Sequence, residues 1–459
     1  MAAGRVSAMP KLPGKDGKQP MNILIIATFF PPDTAISAVR PYLFAKYLTK
    51  MGHQVTVLRS GQLDCIPDSS MSCKELGIRV ISWLGEDAPA ERFERGEQVQ
   101  TQFSPKKSRL DSLPYPVRRA IQNGKLSMKR AMMLTQLART RKRFAGQKAC
   151  IDALAGEHFD VVFATFSRLE NIYAGKYAAE KFGCKWILDV RDPIAQKNNS
   201  IFLNYPLWKA LQRSLIRSCD ICTAVSQGVA EEIAPGTGKE VITLYNGYDG
   251  EHTQEDLTQQ DGILRIAYTG VMYTNRSSAE PLFRVIAALA KAGKVDLQKI
   301  CFDYAGPHFE MIREQAQKYG VEAILVNHGF VSRSEAAQLQ SKCDIFLVLT
   351  WNTREEKGVL TGKFYEGIRA RKPILALVSG REPGSELGML NEKYRYGFCC
   401  EEPSGDAGLE ELGRWILDAY DRKQQGMSPA YNPEEGLFTA FTYRALTEKL
   451  EKIMQKMVG

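Results

Sequence analysis

Residues 22–58, NILIIATFFPPDTAISAVRPYLFAKYLTKMGHQVTVL, contain one complete β-α-β unit. The apolar run Ile23 to Thr28 reads as a strand and is closed off by Pro31 and Pro32. A helix is predicted from Ala35 to Met51, with Val39, Leu43, Tyr47 and Met51 on one face. Gly52 ends it, and His53 to Leu58 forms the next strand. Such units stack into parallel sheets, because a parallel pair needs a helical crossover.

The alternation continues outward from this unit. Strands are predicted at Val161–Ala164, Trp186–Asp189, Ile221–Ala224 and Val241–Leu244. The polar, acidic stretch NGYDGEHTQEDLTQQD (246–261) reads as a connection, and a second series follows it. Its strands are predicted at Leu264–Tyr268, Ile300–Tyr304, Ala323–Val326, Ile345–Leu349 and Ile374–Leu377, with helices near 279–292, 308–319, 334–342 and 361–370. Phe438, Phe441, Leu446, Leu450 and Ile453 then fall at roughly helical spacing. The expected fold class is α/β, with two Rossmann-like doubly wound parallel-sheet domains facing a cleft. The expected division is a disordered leader over 1–20, a first domain over 21–250 with a basic helical insertion at about 104–150, and a linker over 251–262. A second domain over 263–430 and a C-terminal helix over 431–459, packing back on the first domain, complete it.

A chain of 459 residues exceeds what one hydrophobic core serves, which agrees with two domains. Its 44% hydrophobic and 25% charged residues exclude a disordered chain. The apolar run Ile23 to Phe30 is too short to span a membrane. Ten Cys, read as scattered thiols, suit a reduced, cytoplasmic protein. The net charge of +9 is concentrated: residues 104–148 hold thirteen Lys or Arg against one acid, Asp111, and the rest of the chain has 48 basic against 51 acidic residues.

The first strand runs into TFFPPDTA, with no GxGxxG turn, and the chain has no Walker A, GxSxG or HExxH sequence. NAD enzymes, P-loop enzymes and the corresponding hydrolases lose support. The segment KGVLTGKFYEGIRARKPILAL, residues 357–377, is the most informative for chemistry. Thr361 is placed to cap a helix that starts at Gly362, and the free N–H groups of a helix start favour an anion. Lys363 in the first turn opposes the helix dipole unless an anion lies beside it. Glu366, three residues on, shares its face, so a phosphate and a neighbouring hydroxyl pair fit the two side chains. A solvated Lys–Glu pair fits the same spacing, and both readings stay open here.

Several segments in order carry a family resemblance: FFPPDTAISAVRPYLFAKYLTKMGHQVTVL, VSQGVAEEI, VITLYNGYD, YTGVMYTNR and GFVSRSEAAQLQSKCDIFLVL, followed by GKFYEGIRARKPILAL. Over roughly residues 21–458 the chain resembles GT-B glycosyltransferases, in particular the retaining family 4 type that uses nucleotide-sugar donors. The resemblance implies that Arg276 and Lys363 grip the donor diphosphate and that Glu366 accepts hydrogen bonds from the ribose. It also implies that Gly270 and the Thr361–Gly362 helix start approach the donor, and that Gly329 and Val331 line the nucleobase pocket. Where the family often carries the first Glu of a Glu-x7-Glu pair, this chain has Gly358, with Glu355 and Glu356 nearby as substitutes or as a solvated turn. Arg191, with Asp189 or Asp192, either orients an acceptor hydroxyl or contacts the sugar, or else pins its loop. His53 and His328 read as structural. No DxD triplet occurs, so no metal or other cofactor is expected beyond a UDP- or GDP-linked donor as substrate.

The basic segment, including Arg139, Arg141, Lys142 and Arg143, falls on the side where the resemblance places the acceptor. It mixes apolar residues with clustered charge, as an interfacial helix does, and a solvated helical hairpin fits the same composition. The expected partners are the nucleotide sugar, a glycan or lipid-linked acceptor and an anionic membrane surface, with no nucleic acid. The expected location is cytoplasmic and peripheral at the inner face of the cytoplasmic membrane, in cell-surface polysaccharide or glycolipid assembly. A nucleotide-sugar 2-epimerase and an inactive nucleotide-sugar or partner-binding protein are the alternatives.

Overall fold

The computed structural model describes residues 19–32, 36–59, 73–83, 138–196, 205–250, 257–273 and 276–459. The expected leader up to residue 18, the basic segment up to residue 137, and Asp33 and Thr34 lie outside them. Two compact units are present. The first takes residues up to Val225 with Ile233–Ile242 and Thr447–Gly459, and the second takes Ser226–Glu232 and Thr243–Leu446.

The first unit holds β1 (Asn22–Ala27), β2 (Gln54–Arg59), β3 (Arg79–Ser82), β4 (Val161–Phe166), β5 (Lys185–Val190), β6 (Ile221–Ala224) and β7 (Val241–Thr243), in sheet order β3-β2-β1-β4-β5-β6-β7. Its helices are α1 (Ile36–Lys50), α2 (138–153), α3 (Leu169–Phe182) and α4 (Tyr205–Ser218), with the last residue of α5 (Gln227–Ile233), the rest of which falls in the second unit. Ile23 to Ala27 of β1 are all buried, as a central parallel strand covered on both faces requires. α1 departs from the expected single apolar face: every residue from Arg40 to Leu48 is buried. Arg40 tolerates this because its Nη2 lies 2.6 Å and its Nε 3.0 Å from the oxygens of Asp189.

The second unit holds β8 (Leu264–Thr269), β9 (Ile300–Ala305), β10 (Leu325–Gly329), β11 (Ile345–Trp351), β12 (Ile374–Ser379) and β13 (Gly397–Glu401), ordered β10-β9-β8-β11-β12-β13 with parallel pairing. Its helices are α6 (Glu280–Lys291), α7 (Phe309–Gln317), α8 (Arg333–Lys342), α9 (Gly362–Arg369), α10 (Glu386–Tyr394) and α11 (Gly405–Gln424). The core includes Phe283, Phe302, Ile345 and Leu347, all fully buried. In both sheets the strand order reverses once, between β1 and β4 and between β8 and β11. Ligands of open α/β sheets bind outside the carboxyl ends of the strands at such a reversal.

Three expectations change. The strand predicted from Ala323 begins at Leu325, because Glu322–Ile324 forms a 3-10 turn. The predicted C-terminal helix is two pieces, α12 (Leu437–Ala440) and α13 (Tyr443–Val458). It breaks because Tyr248 N–H donates to the Phe441 carbonyl (3.0 Å) and the Tyr248 carbonyl accepts from Tyr443 N–H (3.0 Å), drawing the backbone into a bridge. Residues of α13 from Thr447 on belong to the first unit, where Glu451 meets His53 at 3.1 Å. Finally, the cysteines are not all scattered: Cys219 and Cys222 have CxxC spacing, and both are buried and free. No helix among the described residues is long and apolar enough to cross a membrane.

Candidate functional site

At the strand reversal of the second unit, β8 ends at Thr269 and the chain turns at Gly270, whose φ is +147°. A Cβ there would meet Lys363 Cε at 2.4 Å, so the glycine is what lets the lysine stem lie against the backbone. Lys363 stands in the first turn of α9, and its Nζ lies 3.0 and 3.1 Å from the two carboxylate oxygens of Glu366. Both side chains remain about a quarter exposed. Gln340, buried on α8, donates from Nε2 to Thr269 Oγ1 (2.8 Å) and to Glu366 Oε2 (2.8 Å). Thr361 occupies the cap position, but its side chain makes no cap bond and its buried hydroxyl has no hydrogen-bond partner. The expected cap is therefore absent, and the opening amides of α9, at Gly362 and Lys363, carry no side-chain acceptor. A partly exposed Lys–Glu pair contributes only ~0–1 kcal/mol. Bonds from a cation to a phosphate contribute roughly 1.5–3 kcal/mol each, so the pair is weak enough for an anion to compete with the carboxylate.

Arg276 lies in the loop after β8, paired with a different acid. Its Nη1 is 2.8 Å from Glu356 Oε2, which also accepts from Trp351 Nε1 at 2.6 Å. The guanidinium sits 5.2 Å from the Trp351 ring centre, and Tyr273 packs edge-on against the same ring at 5.4 Å. Lys363 and Arg276 thus come from neighbouring segments at the carboxyl end of the sheet, each held by its own carboxylate. Gly329 ends β10, and its carbonyl accepts from Gly306 N–H (2.8 Å); a Cβ on Gly306 would approach the Gly270 carbonyl to 2.1 Å. Three strand-end glycines, 270, 306 and 329, therefore stand in a row. Val331 is half-buried, and Phe330 beside it is 89% exposed.

Gly358 has a structural reason to differ from glutamate. Its φ is +66°, and a Cβ would meet Ser226 Oγ at 2.6 Å, Glu386 Oε2 at 2.7 Å and Gly228 Cα at 2.8 Å. The acid filling that place is Glu386, from the first turn of α10, which accepts from the Gln227 and Gly228 amides at 2.7 and 3.0 Å. Burial raises its pKa against the lowering effect of those bonds. Of the two nearby substitutes, Glu356 is committed to Arg276 and Trp351, and Glu355 is exposed.

In the first unit Asp189 is fully buried and bonded to Arg40, Thr165 and Thr223, so it does not join Arg191 as a surface pair. Arg191 instead donates to the Ser37 carbonyl at 2.8 Å, and Asp192 is exposed. On α2, Arg139, Arg141 and Lys142 are exposed, whereas Arg143 reaches the buried Glu170 at 3.4 Å. His53 accepts from Met21 N–H, and His328 bonds Asp303 at 2.7 Å. Among the described residues no group of three or more His, Cys, Asp or Glu is placed to hold a metal ion.

Gln340, Trp351, Gly306 and Glu386 were not anticipated, and Glu356, expected as a substitute acid or part of a solvated turn, holds Arg276 instead. Only Gly306 carried a local signal, a glycine two residues past a predicted strand.

No protein-family model and no curated protein matches this sequence. Solved structures do. A glycosyltransferase from Rickettsia africae ESF-5 is similar with a TM-score of 0.54 and 12% identity, over 96% of this chain and 99% of that one. Anabaena HepE, solved in complex with UDP-glucose, gives 0.54 and 12% over 95% and 100%. Sucrose-phosphate synthase from Thermosynechococcus elongatus gives 0.57 and 12% over 95% and 98%. Likeness at this identity is likeness of fold, and the fold is that of the GT-B glycosyltransferases.

Proposed function

We propose that the chain is a retaining, metal-independent glycosyltransferase of the family 4 type, which moves a sugar from a UDP- or GDP-linked donor to a glycan or lipid-linked acceptor. The observation that carries this reading is Lys363, its stem lying over Gly270 and its ammonium beside the uncapped start of α9, with Glu366 one turn away. A donor diphosphate takes the ammonium and the Gly362 amide, and frees the Glu366 carboxylate to accept from ribose hydroxyls. Gly329 and Val331 border the nucleobase. As the glycosidic bond breaks, negative charge grows on the departing diphosphate, and Lys363 and Arg276 oppose it. Loss of one such donor typically costs ~2.7–4 kcal/mol in the transition state. Arg276 must first leave Glu356, an exchange of one partly exposed acid for a doubly charged ligand.

In a transfer on one face of the sugar, the leaving phosphate oxygen takes the acceptor's proton, so no separate side-chain base is required. Arg191 and Asp192 are assigned to the acceptor side. The absence of a DxD triplet supports the metal-free reading. Exposed Arg139, Arg141 and Lys142 support attachment at the anionic inner face of the cytoplasmic membrane, the setting for polysaccharide or glycolipid assembly. A second reading, an inactive nucleotide-sugar binder, is favoured by Gly358, which stands where the resemblance expects the first glutamate of the pair.

Incubation with a panel of UDP- and GDP-sugars separates the readings. The transferase releases nucleoside diphosphate, and more of it when acceptor is added. Interconversion of the donor sugar without release marks an epimerase, and binding with neither reaction marks the inactive protein.

A further inference from the structure

Gln340 is 2% exposed and every polar atom of its amide is engaged. Nε2 spends one hydrogen on Thr269 Oγ1 and the other on Glu366 Oε2, both at 2.8 Å, while Oε1 faces Arg369 Nη2 at 3.5 Å. Those three partners fix which way the amide points: turned over, its oxygen would face the Glu366 carboxylate. The amide therefore ties the end of β8, one residue before Gly270, to the carboxylate on α9. A Glu side chain has three rotatable bonds, and a carboxylate held at one oxygen loses most of that freedom before a ligand arrives.

We propose that Gln340 is a positioning residue that presets the Glu366 carboxylate to receive the ribose hydroxyls of the donor nucleotide. It touches no ligand itself and acts only through Glu366. The proposal rests on the donor-site reading above and deepens it, by assigning to this chain's own Gln340–Thr269 anchor the preference for a ribonucleotide over a deoxyribonucleotide.

The test is calorimetric titration of the full chain with UDP and GDP, and then, for the tighter of the two, with its 2′-deoxy and 3′-deoxy forms. Wild type should prefer the ribose form by about tenfold or more, the worth of one bond to a charged acceptor. Gln340→Met should lower affinity for the ribose form about three- to tenfold and leave the deoxy affinities within about twofold, so that the preference collapses. A merely structural role would weaken all the ligands together, and the ratio does not depend on the fraction of protein that is folded. Should Gln340→Met fail to fold, Thr269→Val, which removes the second anchor of the amide, should shift the ratio the same way. A ribose preference that survives both substitutions overturns the role of Gln340 alone. A wild type that binds the diphosphates without ribose preference also overturns it, and one that binds neither diphosphate overturns the donor-site reading and this role together.

Discussion

At single residues the site is shaped by where side chains cannot be. A methyl group at Gly270 would lie 2.4 Å from Lys363 Cε, the far part of a flexible chain, so the lysine moves aside rather than the fold giving way. Gly270→Ala should weaken nucleoside diphosphate binding by about tenfold or more in calorimetry, the loss of one charge-assisted bond. Its melting temperature should fall only modestly, from the strain of the positive φ. Gly358→Ala differs in kind, because the added carbon meets the Gly228 backbone and the buried Glu386 carboxylate. It should destabilise by roughly 2–4 kcal/mol, read as a lower midpoint in urea unfolding. Lys363, Glu366 and Gly270 were legible in the sequence because a helix start, its first-turn cation and a strand-end glycine are local patterns. Gln340 was not: its partner Glu366 is 26 positions away, and in AAQLQSK a glutamine reads as part of a solvated face.

Among the elements, the central strands were legible because buried parallel strands are continuous β-branched runs, as in NILIIA of β1 and IFLVLTW of β11. Two of the four edge strands, β3 and β13, were missed. β3 (RVIS) has four residues with none fully buried, and β13 (GFCCE) has no β-branched residue. The break between α12 and α13 depends on Tyr248, almost two hundred residues earlier, and left no mark in the local pattern. Inside the first unit, α1 is tied to β5 through Arg40 and Asp189. Burial alone would raise the Asp189 pKa, but the charge of Arg40 and hydrogen bonds from Arg40 and Thr223 take it below the usual carboxylate range. The depressed pKa means that the pair's stabilisation is complete above the unfolded Asp value, about 3.9, and is lost as pH falls from there through the folded value. Arg40→Met leaves a buried carboxylate without its cation and should cost about 3–5 kcal/mol at neutral pH. Urea midpoints measured from pH 7 down to pH 3 should show the difference from wild type shrinking at the acid end; a difference independent of pH would contradict the assignment.

For the whole molecule, charge is the property that location explains. The excess of positive residues lies between 104 and 148, while the remainder of the chain has slightly more acidic than basic residues. Each basic residue near an anionic membrane contributes roughly 1 kcal/mol. Replacing Arg139, Arg141 and Lys142 together by Ala should therefore cut partitioning onto anionic vesicles by on the order of a hundredfold at low salt. Co-sedimentation checks this, and binding by wild type that is absent, or indifferent to salt, removes the membrane proposal. The central claim is that the second unit holds a nucleoside diphosphate between Lys363 and Glu366. Calorimetric titration of UDP and GDP into wild type, Lys363→Ala and Glu366→Ala tests it most directly. The account predicts saturable binding of one diphosphate to wild type and weaker binding to both variants, whereas binding of equal affinity in all three proteins would contradict it.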